Sequence, residues 1–292
     1  MNNITSVIPV LNSLGVFQYL PNNGNLGDLL IDVATRQLMR HYNLPHRHAE
    51  CNHVVYGGGG RFVPFYGSLE TLQKSLTHPG IERCVILPHS FYEVDSFVQS
   101  LDERHTVFCR ESRSLEYCLS LNSCAKFLPA HDMSIHLNPV KLRQDSECHE
   151  VSPLKEKLKA AIQQSSFTTE FTKKKCLVGY FPRRGEESTL DEESHFGQDL
   201  SELWMGYGED SPEHAAHILA LLDELSVLDI VITDRLHMGI AALFAGCQVY
   251  FFDNNYGKIS GVYQQTFRRH PGMAIFSHER LMQMFPELKA LA

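Results

Sequence analysis

Short apolar runs alternate with amphipathic stretches along most of the chain, and this alternation limits the fold more than any other feature of the sequence. It is typical of repeated strand–helix units, which assemble into α/β folds around parallel sheets. The runs predicted as strands are 15–20, 53–56, 84–87, 106–109, 126–128, 176–181, 230–232, 248–252 and 273–276. We therefore expect an α/β protein.

The alternation stops between residues 138 and 175, where charged and polar residues dominate. We therefore predict a Rossmann-like N-terminal domain at 1–137, a linker with a surface helix at 138–175, and a Rossmann-like C-terminal domain at 176–292. A chain of 292 residues is long enough for two such cores. Within the second domain, the polar stretch 185–208 is expected to be a mobile loop and a candidate lid.

Composition and apolar patterning exclude several classes of partner. The formal net charge of −8 argues against non-specific binding to nucleic acid. The first twenty residues lack the pattern of a signal peptide, and no apolar run approaches the ~20 residues that span a bilayer. We therefore expect a cytoplasmic protein whose eight scattered cysteines are reduced.

The run Val231-Ile-Thr-Asp-Arg-Leu-His237 joins a strand pattern to a helix pattern. Arg235 and His237 should lie at the carboxyl end of the strand and the amino end of the helix. Open α/β sheets bind anionic ligands at such positions. We therefore predict the functional site at these residues.

The segment from Asn22 to Asp28 connects the first predicted strand to the first predicted helix. Its glycines, Gly24 and Gly27, allow backbone amides to approach a ligand. Asp28 is suited to hold or deprotonate a substrate hydroxyl, but the simpler interpretation is that it caps the helix.

Four consecutive glycines, 57–60, follow the second predicted strand. Gly58 and Gly59 lie at the centre of this run. Such a turn either faces a ligand closely or serves only the packing of a strand against a helix, and the sequence favours neither interpretation.

Cationic side chains follow three further strand patterns: Arg110 after the fourth, Arg183 and Arg184 after residue 181, and Lys258 beyond residue 252. Guanidinium groups bind carboxylates and phosphates with two parallel hydrogen bonds, and a lysine acts as a point charge. The alternatives are surface salt bridges or solvated loop residues. Of Arg183 and Arg184, we expect one to face the site.

Three histidines and a cysteine lie close together at His46, His48, Cys51 and His53. Their spacing matches no zinc site. We therefore expect a histidine-rich connecting loop, and we predict neither a metal nor a cofactor for this protein.

Seven short motifs, taken in order, resemble those of the polysaccharide pyruvyl transferase family, and the resemblance covers most of the chain, from about residue 15 to 268. They are Gly24-Asn-Leu-Gly-Asp28, Val55-Tyr-Gly-Gly-Gly-Gly60, Phe108-Cys-Arg-Glu-Ser112, Pro129-Ala-His-Asp-Met133, Phe181-Pro-Arg-Arg184, Thr233-Asp-Arg-Leu-His237 and Asn255-Tyr-Gly-Lys258. Asp-Arg-Leu-His is the most specific of them. Met238 and Gln248 stand where the family commonly has glycine and proline. Both differences affect packing near the site more than its charges, so they weaken the inference about the acceptor more than the inference about the donor.

The resemblance implies a GT-B-like fold, in which two Rossmann-like domains face a cleft. It also implies transfer of the pyruvyl group of phosphoenolpyruvate to a sugar of an exopolysaccharide, capsule or cell-wall glycan, with formation of a pyruvate ketal and release of phosphate. Acceptors in the family are often lipid-linked oligosaccharides, which lie at a membrane surface. We expect the protein to associate with that surface peripherally at most.

Phosphoenolpyruvate carries a carboxylate and a phosphate, so its site needs several cationic groups and amide donors. The residues assigned to donor binding are Arg235, Arg110, Arg183, Arg184 and Lys258, with backbone or loop contacts from Gly24, Asn25, Gly27, Gly58, Gly59 and Leu236. His237 is the predicted acid and base, and Asp28 orients or deprotonates the acceptor. The alternatives are a GT-B nucleotide-sugar glycosyltransferase and a non-catalytic sugar or phosphate binding protein.

Overall fold

The structure is a computed structural model that describes residues 4–47, 51–145, 154–190, 196–206 and 212–291. Its strands, in chain order, are β1 (Phe17–Leu20), β2 (Gly24–Asn25), β3 (His46–Arg47), β4 (His53–Tyr56), β5 (Gly59–Phe62), β6 (Arg83–Phe91), β7 (His105–Cys109), β8 (Lys126–Pro129), β9 (Ser166–Phe171), β10 (Lys174–Phe181), β11 (Met205–Gly206), β12 (Ile230–Thr233), β13 (Gln248–Phe251) and β14 (Met273–Ile275). The α-helices are α1 (Ile8–Asn12), α2 (Leu26–His41), α3 (Glu70–Leu76), α4 (Asp95–Gln99), α5 (Ser112–Ser120), α6 (Pro139–Asp145), α7 (Leu154–Gln164), α8 (Pro212–Leu225), α9 (Leu236–Phe244), α10 (Lys258–Val262), α11 (His278–Met284) and α12 (Glu287–Leu291). Single 3-10 turns cover Pro64–Tyr66, Met133–His136 and Leu200–Leu203, and a π-helical turn covers Tyr263–Phe267.

The chain divides into two compact units. The first unit comprises Met1–Asn23, Ile31–Leu137 and Gln264–Thr266, and the second comprises Gly24–Leu30, Asn138–Tyr263 and Phe267–Ala292. The glycine-containing segment that starts at Gly24 therefore groups with the second unit. So does the stretch 138–175, which the sequence analysis treats as a linker.

The sheet of the first unit is parallel throughout its described strands, in the order β3-β1-β4-β6-β7-β8, with β5 beside β6. Because β3 lies on one side of β1 and β4 on the other, the order in which successive strands join the sheet reverses between β1 and β4. Ligands of open α/β sheets bind at such a reversal, at the carboxyl ends of the strands. Here Tyr56, the last residue of β4, donates a hydrogen bond from its hydroxyl to Asn22 Oδ1 over 2.8 Å.

Alternate residues of the central strands of this sheet pack on opposite faces. Val54 and Ile86 belong to one buried apolar cluster, and Val55 and Leu87 belong to another. Since successive strand residues point to opposite sides, both faces of the sheet are covered. This explains why the strands appear in the sequence as continuous apolar runs.

The sheet of the second unit has the order β14-β13-β12-β10-β9 and is parallel except for the antiparallel edge strand β9. On one face, Val178 and Ile232 pack with Leu281 and Phe285. Helix α9 packs on β12 and β13 and also against α8. Strands β2 and β11 form a separate antiparallel pair.

Each predicted strand is present, and the expected α/β class, with parallel sheets and helices, is confirmed. Strands β3, β5 and β9 and the pair β2–β11 were not predicted. Among the helices in the described ranges, none is long and apolar enough to cross a membrane.

Candidate functional site

The turn between β12 and α9 fixes the backbone of the Asp-Arg-Leu-His motif. The Thr233 hydroxyl accepts a hydrogen bond from the Arg235 amide over 3.0 Å and donates one to the Phe181 carbonyl over 2.6 Å. Arg235 is the residue that precedes the first turn of α9, and Leu236 is the first residue of that helix. The first amides of α9 and the Arg235 guanidinium therefore lie at one strand end, as the sequence predicts.

The guanidinium of Arg235 binds two carboxylates. Its Nε donates to Asp199 Oδ1 and Oδ2 over 3.0 and 2.8 Å, and its Nη2 also bonds to Asp199. The same Nη2 donates to Glu202 Oε1 over 2.8 Å. Asp199 is buried, whereas about half of the Glu202 side chain is exposed.

His237 packs against the Gly24–Asp28 segment within the second unit. A Cβ atom at position 27 would lie 2.8 Å from Nδ1 of His237 and 3.1 Å from its Cβ atom. A side chain at position 27 would therefore force the imidazole to move. Glycine at position 27 has a steric reason that the sequence pattern alone did not reveal.

Asn25 links the same segment to the carboxylates around Arg235. Its Nδ2 lies 3.4 Å from Glu202 Oε1, and its Oδ1 accepts a hydrogen bond from the Gly27 amide over 2.9 Å. Asn25 also pairs with Met205 in the two-stranded sheet. The second unit thus brings Asn25, Gly27, Arg235 and His237 together.

Asp28 lies in the first turn of α2 and is half-buried. Its Oδ2 accepts a hydrogen bond from the Asn25 amide over 3.2 Å. A Cβ atom at Gly24 would collide with this carboxylate, so a side chain there would displace Asp28. Asn25 caps α2 through its bond from the Gly27 amide, and the bond of Asp28 to the Asn25 amide completes a reciprocal capping box.

Arg183 and Lys258 share one buried carboxylate. Glu187 binds Nη1 of Arg183 and accepts a hydrogen bond from Lys258 Nζ over 3.0 Å. The Tyr256 hydroxyl donates to the other oxygen of Glu187 over 3.2 Å. Arg184, by contrast, is exposed and donates to the Gly197 carbonyl over 2.8 Å.

The motif's own aspartate, Asp234, is fully buried and accepts a hydrogen bond from the Arg183 amide over 2.5 Å. Burial raises the pKa of this carboxyl above its ordinary value, and the Arg183 amide opposes the shift. Within the described ranges, Asp234 Oδ2 has no hydrogen-bond partner. Asp234 therefore connects the turn after β10 to the turn after β12.

The first unit holds Arg110, Gly58 and Gly59. Arg110 is almost completely buried; its Nη1 donates to Asp132 Oδ2 over 2.7 Å and its Nε to the Ser90 hydroxyl over 2.8 Å. Asp132 is fully buried and also accepts hydrogen bonds from the amide and hydroxyl of Ser134. Arg110 thus belongs to a buried network of polar groups.

The glycine run at 57–60 lies against other backbone of the first unit. A Cβ atom at Gly57 would lie 2.7 Å from the Asn22 amide nitrogen, and one at Gly58 would lie 3.0 Å from the Pro88 carbonyl oxygen. Gly59 opens β5, with φ at +152°, and pairs with His89. Close packing alone therefore explains Gly57 and Gly58.

Two of the clustered histidines bind backbone carbonyls. His46 Nδ1 lies 3.0 Å from the Leu44 oxygen, and His53 Nδ1 lies 2.6 Å from the Leu14 oxygen. His48 lies outside the described residues. Across the part of the chain that the structure describes, no three histidine, cysteine or acidic side chains are grouped to hold a metal ion.

Sequence reasoning missed Asp199, Glu202 and Glu187, although all three lie in the polar stretch 185–208. Asp199 meets Arg235 across 36 residues of sequence. No local pattern marks an acid whose partner lies that far away, and this stretch was interpreted as a mobile loop and a candidate lid. Its residues 191–195, 207 and 208 lie outside the described ranges.

The fold and these turns define an α/β protein with cationic groups at the carboxyl ends of parallel strands. The chain belongs to the polysaccharide pyruvyl transferase family, whose model matches residues 10–256. The family resemblance of the motifs is thereby confirmed, and membership indicates a transferase of the pyruvyl class. A search of curated proteins found no match.

A solved structure supports the fold over nearly the whole chain. A functionally uncharacterised protein of Klebsiella pneumoniae subsp. pneumoniae NTUH-K2044 is similar to this chain with a TM-score of 0.67 and 21% sequence identity. The similarity covers 93% of this chain and 96% of that chain. At this level of identity, it supports the fold alone.

Proposed function

We propose that this protein transfers the pyruvyl group of phosphoenolpyruvate to a sugar acceptor, forming a pyruvate ketal and releasing phosphate. The proposal rests on the family and on one contact, the packing of the Gly27 backbone against the His237 imidazole. That contact joins two of the family-like motifs, Gly24–Asp28 and Thr233–His237, within one unit. The family match gives no support to a nucleotide-sugar glycosyltransferase.

Arg235 and the amino end of α9 are the proposed binding site of the anionic donor. A guanidinium and the first amides of a helix both attract negative charge. Further donor contacts are proposed for Arg110, Arg183, Arg184 and Lys258, and for the backbone of Leu236 and of the two glycine-containing segments. Of these cations, Arg235 has the strongest support, because it lies beside His237 and has a half-exposed partner.

The proposed chemistry begins with a proton from His237 to the methylene carbon of phosphoenolpyruvate, which makes the adjacent carbon electrophilic. A sugar hydroxyl attacks that carbon and loses its proton, and the carbon–oxygen bond to phosphate then breaks. A second hydroxyl closes the ring and loses its own proton. One of the two hydroxyl protons replaces the proton now in the methyl group, and the other leaves with phosphate. An imidazole is suited to such transfers near neutral pH, and Asp28 orients the acceptor.

The family implies a sugar or polysaccharide acceptor. As parts of the proposal, the acceptor serves exopolysaccharide, capsule or cell-wall synthesis and is attached to a lipid. The protein itself is cytoplasmic, with at most peripheral membrane contact, and its two domains have a GT-B-like arrangement. These parts rest on the resemblance of the motifs.

The direct test is incubation with phosphoenolpyruvate and a panel of galactosides, glucosides and mannosamine derivatives, with mass gain of the sugar and phosphate release measured together. We expect both with at least one acceptor. His237→Ala should lower turnover about 10²-fold or more, and Arg235→Ala by a similar factor. His41→Ala and Arg280→Ala, at exposed positions, are the matched controls. Near-normal turnover of either site variant would contradict the assignment.

The donor is tested separately by thermal unfolding. A ligand that binds only the folded protein raises its midpoint temperature. We expect phosphoenolpyruvate to raise it and nucleotide-sugars to leave it unchanged. Stabilisation by nucleotide-sugars alone would replace the proposed donor with a nucleotide-linked one.

A further inference from the structure

The two carboxylates that bind Arg235 differ in their exposure to solvent. The Asp199 side chain is 4% exposed, whereas that of Glu202 is 51% exposed. Both approach the same guanidinium, and Nη2 is bonded to both. Water can therefore replace Glu202 at Arg235 more easily than it can replace Asp199.

Asp199 is fixed by backbone groups as well as by Arg235. Its Oδ1 accepts a hydrogen bond from the Ser201 amide over 3.1 Å, and its Oδ2 accepts one from the Arg184 amide over 3.3 Å. It precedes the 3-10 turn at 200–203 and caps it. Because Asp199 also binds Nε of Arg235, it sets the plane of the guanidinium.

Glu202 has contacts of a different kind. Its Oε1 accepts a hydrogen bond from Arg235 Nη2 over 2.8 Å and lies 3.4 Å from Asn25 Nδ2. Half of the Glu202 side chain faces water, so water can replace Arg235 as its partner, and Arg235 keeps its pair with Asp199 when Glu202 leaves. Glu202 can therefore move away from Arg235 at small cost.

We propose that Asp199 is a positioning residue that orients Arg235, and that the Glu202 carboxylate competes with the anionic donor for Nη2 of Arg235. The inference rests on the proposed function, since the donor is phosphoenolpyruvate. When the donor replaces Glu202 at Arg235, Glu202 also loses its contact with Asn25. Binding of the donor to Arg235 is thereby coupled to the Gly24–Asp28 segment, which packs on His237.

The test measures the affinity of the full-length protein for phosphoenolpyruvate by calorimetric titration. Glu202→Gln should bind about threefold more tightly, because the competing charge is gone and the lost ion pair is weak. Asp199→Asn should bind about tenfold more weakly, because the guanidinium loses its orientation. A purely electrostatic role predicts the opposite sign for Asp199→Asn, since removal of a negative charge favours an anion. Glu279→Gln, at an exposed position of the same unit, is the matched control.

A double variant separates local competition from a general effect of charge. In an Arg235→Lys background, which keeps the positive charge but loses the planar group, we expect Glu202→Gln to leave the affinity almost unchanged. Equal tightening in both backgrounds would overturn the inference, as would an unchanged or weaker affinity of Glu202→Gln alone. Thermal unfolding checks that Asp199→Asn is folded; if it is not, the Glu202 variants decide.

Failure of the inference and failure of the proposed function give different results. No binding of phosphoenolpyruvate to the wild-type protein would reject both. Binding that is lost in Arg235→Ala but is unaffected by Glu202→Gln would reject only the inference.

Discussion

Arg110 and Arg235 both follow parallel strands, one in each unit, but their surroundings differ. Arg110 is 1% exposed and binds Asp132 and Ser90, which are also buried. Arg235 binds buried Asp199 together with half-exposed Glu202. In the same topological position, the arginine of the first unit thus binds buried partners, and the arginine of the second binds one buried and one half-exposed carboxylate. Exposure of the partner, more than position on the sheet, thus indicates which arginine can exchange a carboxylate for the donor at small cost to stability.

Removal of each guanidinium is the strongest test of this difference. Arg110→Met should lower the free energy of unfolding by about 3–5 kcal/mol, because it leaves the Asp132 carboxylate buried without its cation. Arg235→Met should cost less, about 2 kcal/mol, because the amides of Ser201 and Arg184 still bind buried Asp199 and water reaches Glu202. It should also lower turnover about 10²-fold or more. Urea denaturation and phosphate release measure the two effects.

Arg113→Met is the control in the first unit, because Arg113 is exposed on α5. It should leave both quantities unchanged. If Arg110→Met kept full stability and lost affinity for phosphoenolpyruvate, then Arg110 would act as a donor ligand in the way the sequence predicts, and the comparison would fail.

The second unit contains the same contrast between two glutamates. Glu187 is buried and binds both Arg183 and Lys258, so Glu187→Gln should lower the free energy of unfolding by about 3 kcal/mol. Glu202→Gln should change it by less than about 1 kcal/mol. Urea denaturation of the two variants under the same conditions measures both values. Equal losses would show that exposure does not separate structural from exchangeable carboxylates here.

The sequence was sufficient to predict those parts of the fold that depend on local pattern. Buried parallel strands produce apolar runs, so strands such as Ile230–Thr233 were predicted close to their observed ends. The Asp-Arg-Leu-His turn was predicted because a strand must end where polar residues begin. Gly27 was identified as a ligand-facing glycine, but its contact with His237 depends on tertiary packing and was not foreseen.

The acids around the site could not be predicted for a related reason. A buried carboxylate such as Asp199 and a solvated one such as Glu202 look alike in a polar stretch, and only the folded chain brings an arginine to them. The strand Ser166–Phe171 was missed because its pattern is half polar, as expected of an edge strand that is exposed on one side.

Two histidines extend the comparison to pH dependence. His89, in the first unit, is fully buried beside Tyr56 and Phe62, and burial lowers its pKa to about 3. Between this value and the ordinary 6.5, the unfolded chain binds one more proton than the folded protein. Stability should therefore fall as the pH falls through this window, by up to about 1.4 kcal/mol per pH unit from this residue.

His89→Phe keeps an aromatic ring in the stack and removes the titrating group. Urea denaturation from pH 7 to pH 4.5 should show that the variant loses less stability per pH unit than the wild type. The variant should be less stable at pH 7, because the Leu87 carbonyl loses its contact with His89 Nδ1. His41→Phe, at an exposed position, should keep the wild-type slope. An unchanged slope in His89→Phe would mean that His89 is not buried in its neutral form.

Substitution of Gly58 in the first unit and of Gly27 in the second by alanine compares the two units through packing alone. At Gly58 the nearest atom to an added Cβ is the Pro88 carbonyl oxygen at 3.0 Å, which belongs to the backbone and has little room to move. At Gly27 it is His237 Nδ1 at 2.8 Å, part of a side chain that can rotate. Gly58→Ala should therefore cost about 1–2 kcal/mol of stability. Gly27→Ala should change stability by less than about 1 kcal/mol, because alanine favours the first turn of α2 and offsets part of the strain.

The effect on turnover should be the reverse of the effect on stability. Gly27→Ala forces the His237 imidazole away from its place, and a misplaced acid and base should lower kcat at least about tenfold at saturating phosphoenolpyruvate. Gly58→Ala, whose added Cβ meets Pro88, Met133 and Ile31, should lower kcat of the folded fraction by a smaller factor. If Gly27→Ala retained full turnover, His237 would work equally well from a displaced position. Its close packing against the Gly24–Asp28 segment would then be a structural contact, and the acid and base of the reaction would have to be another group.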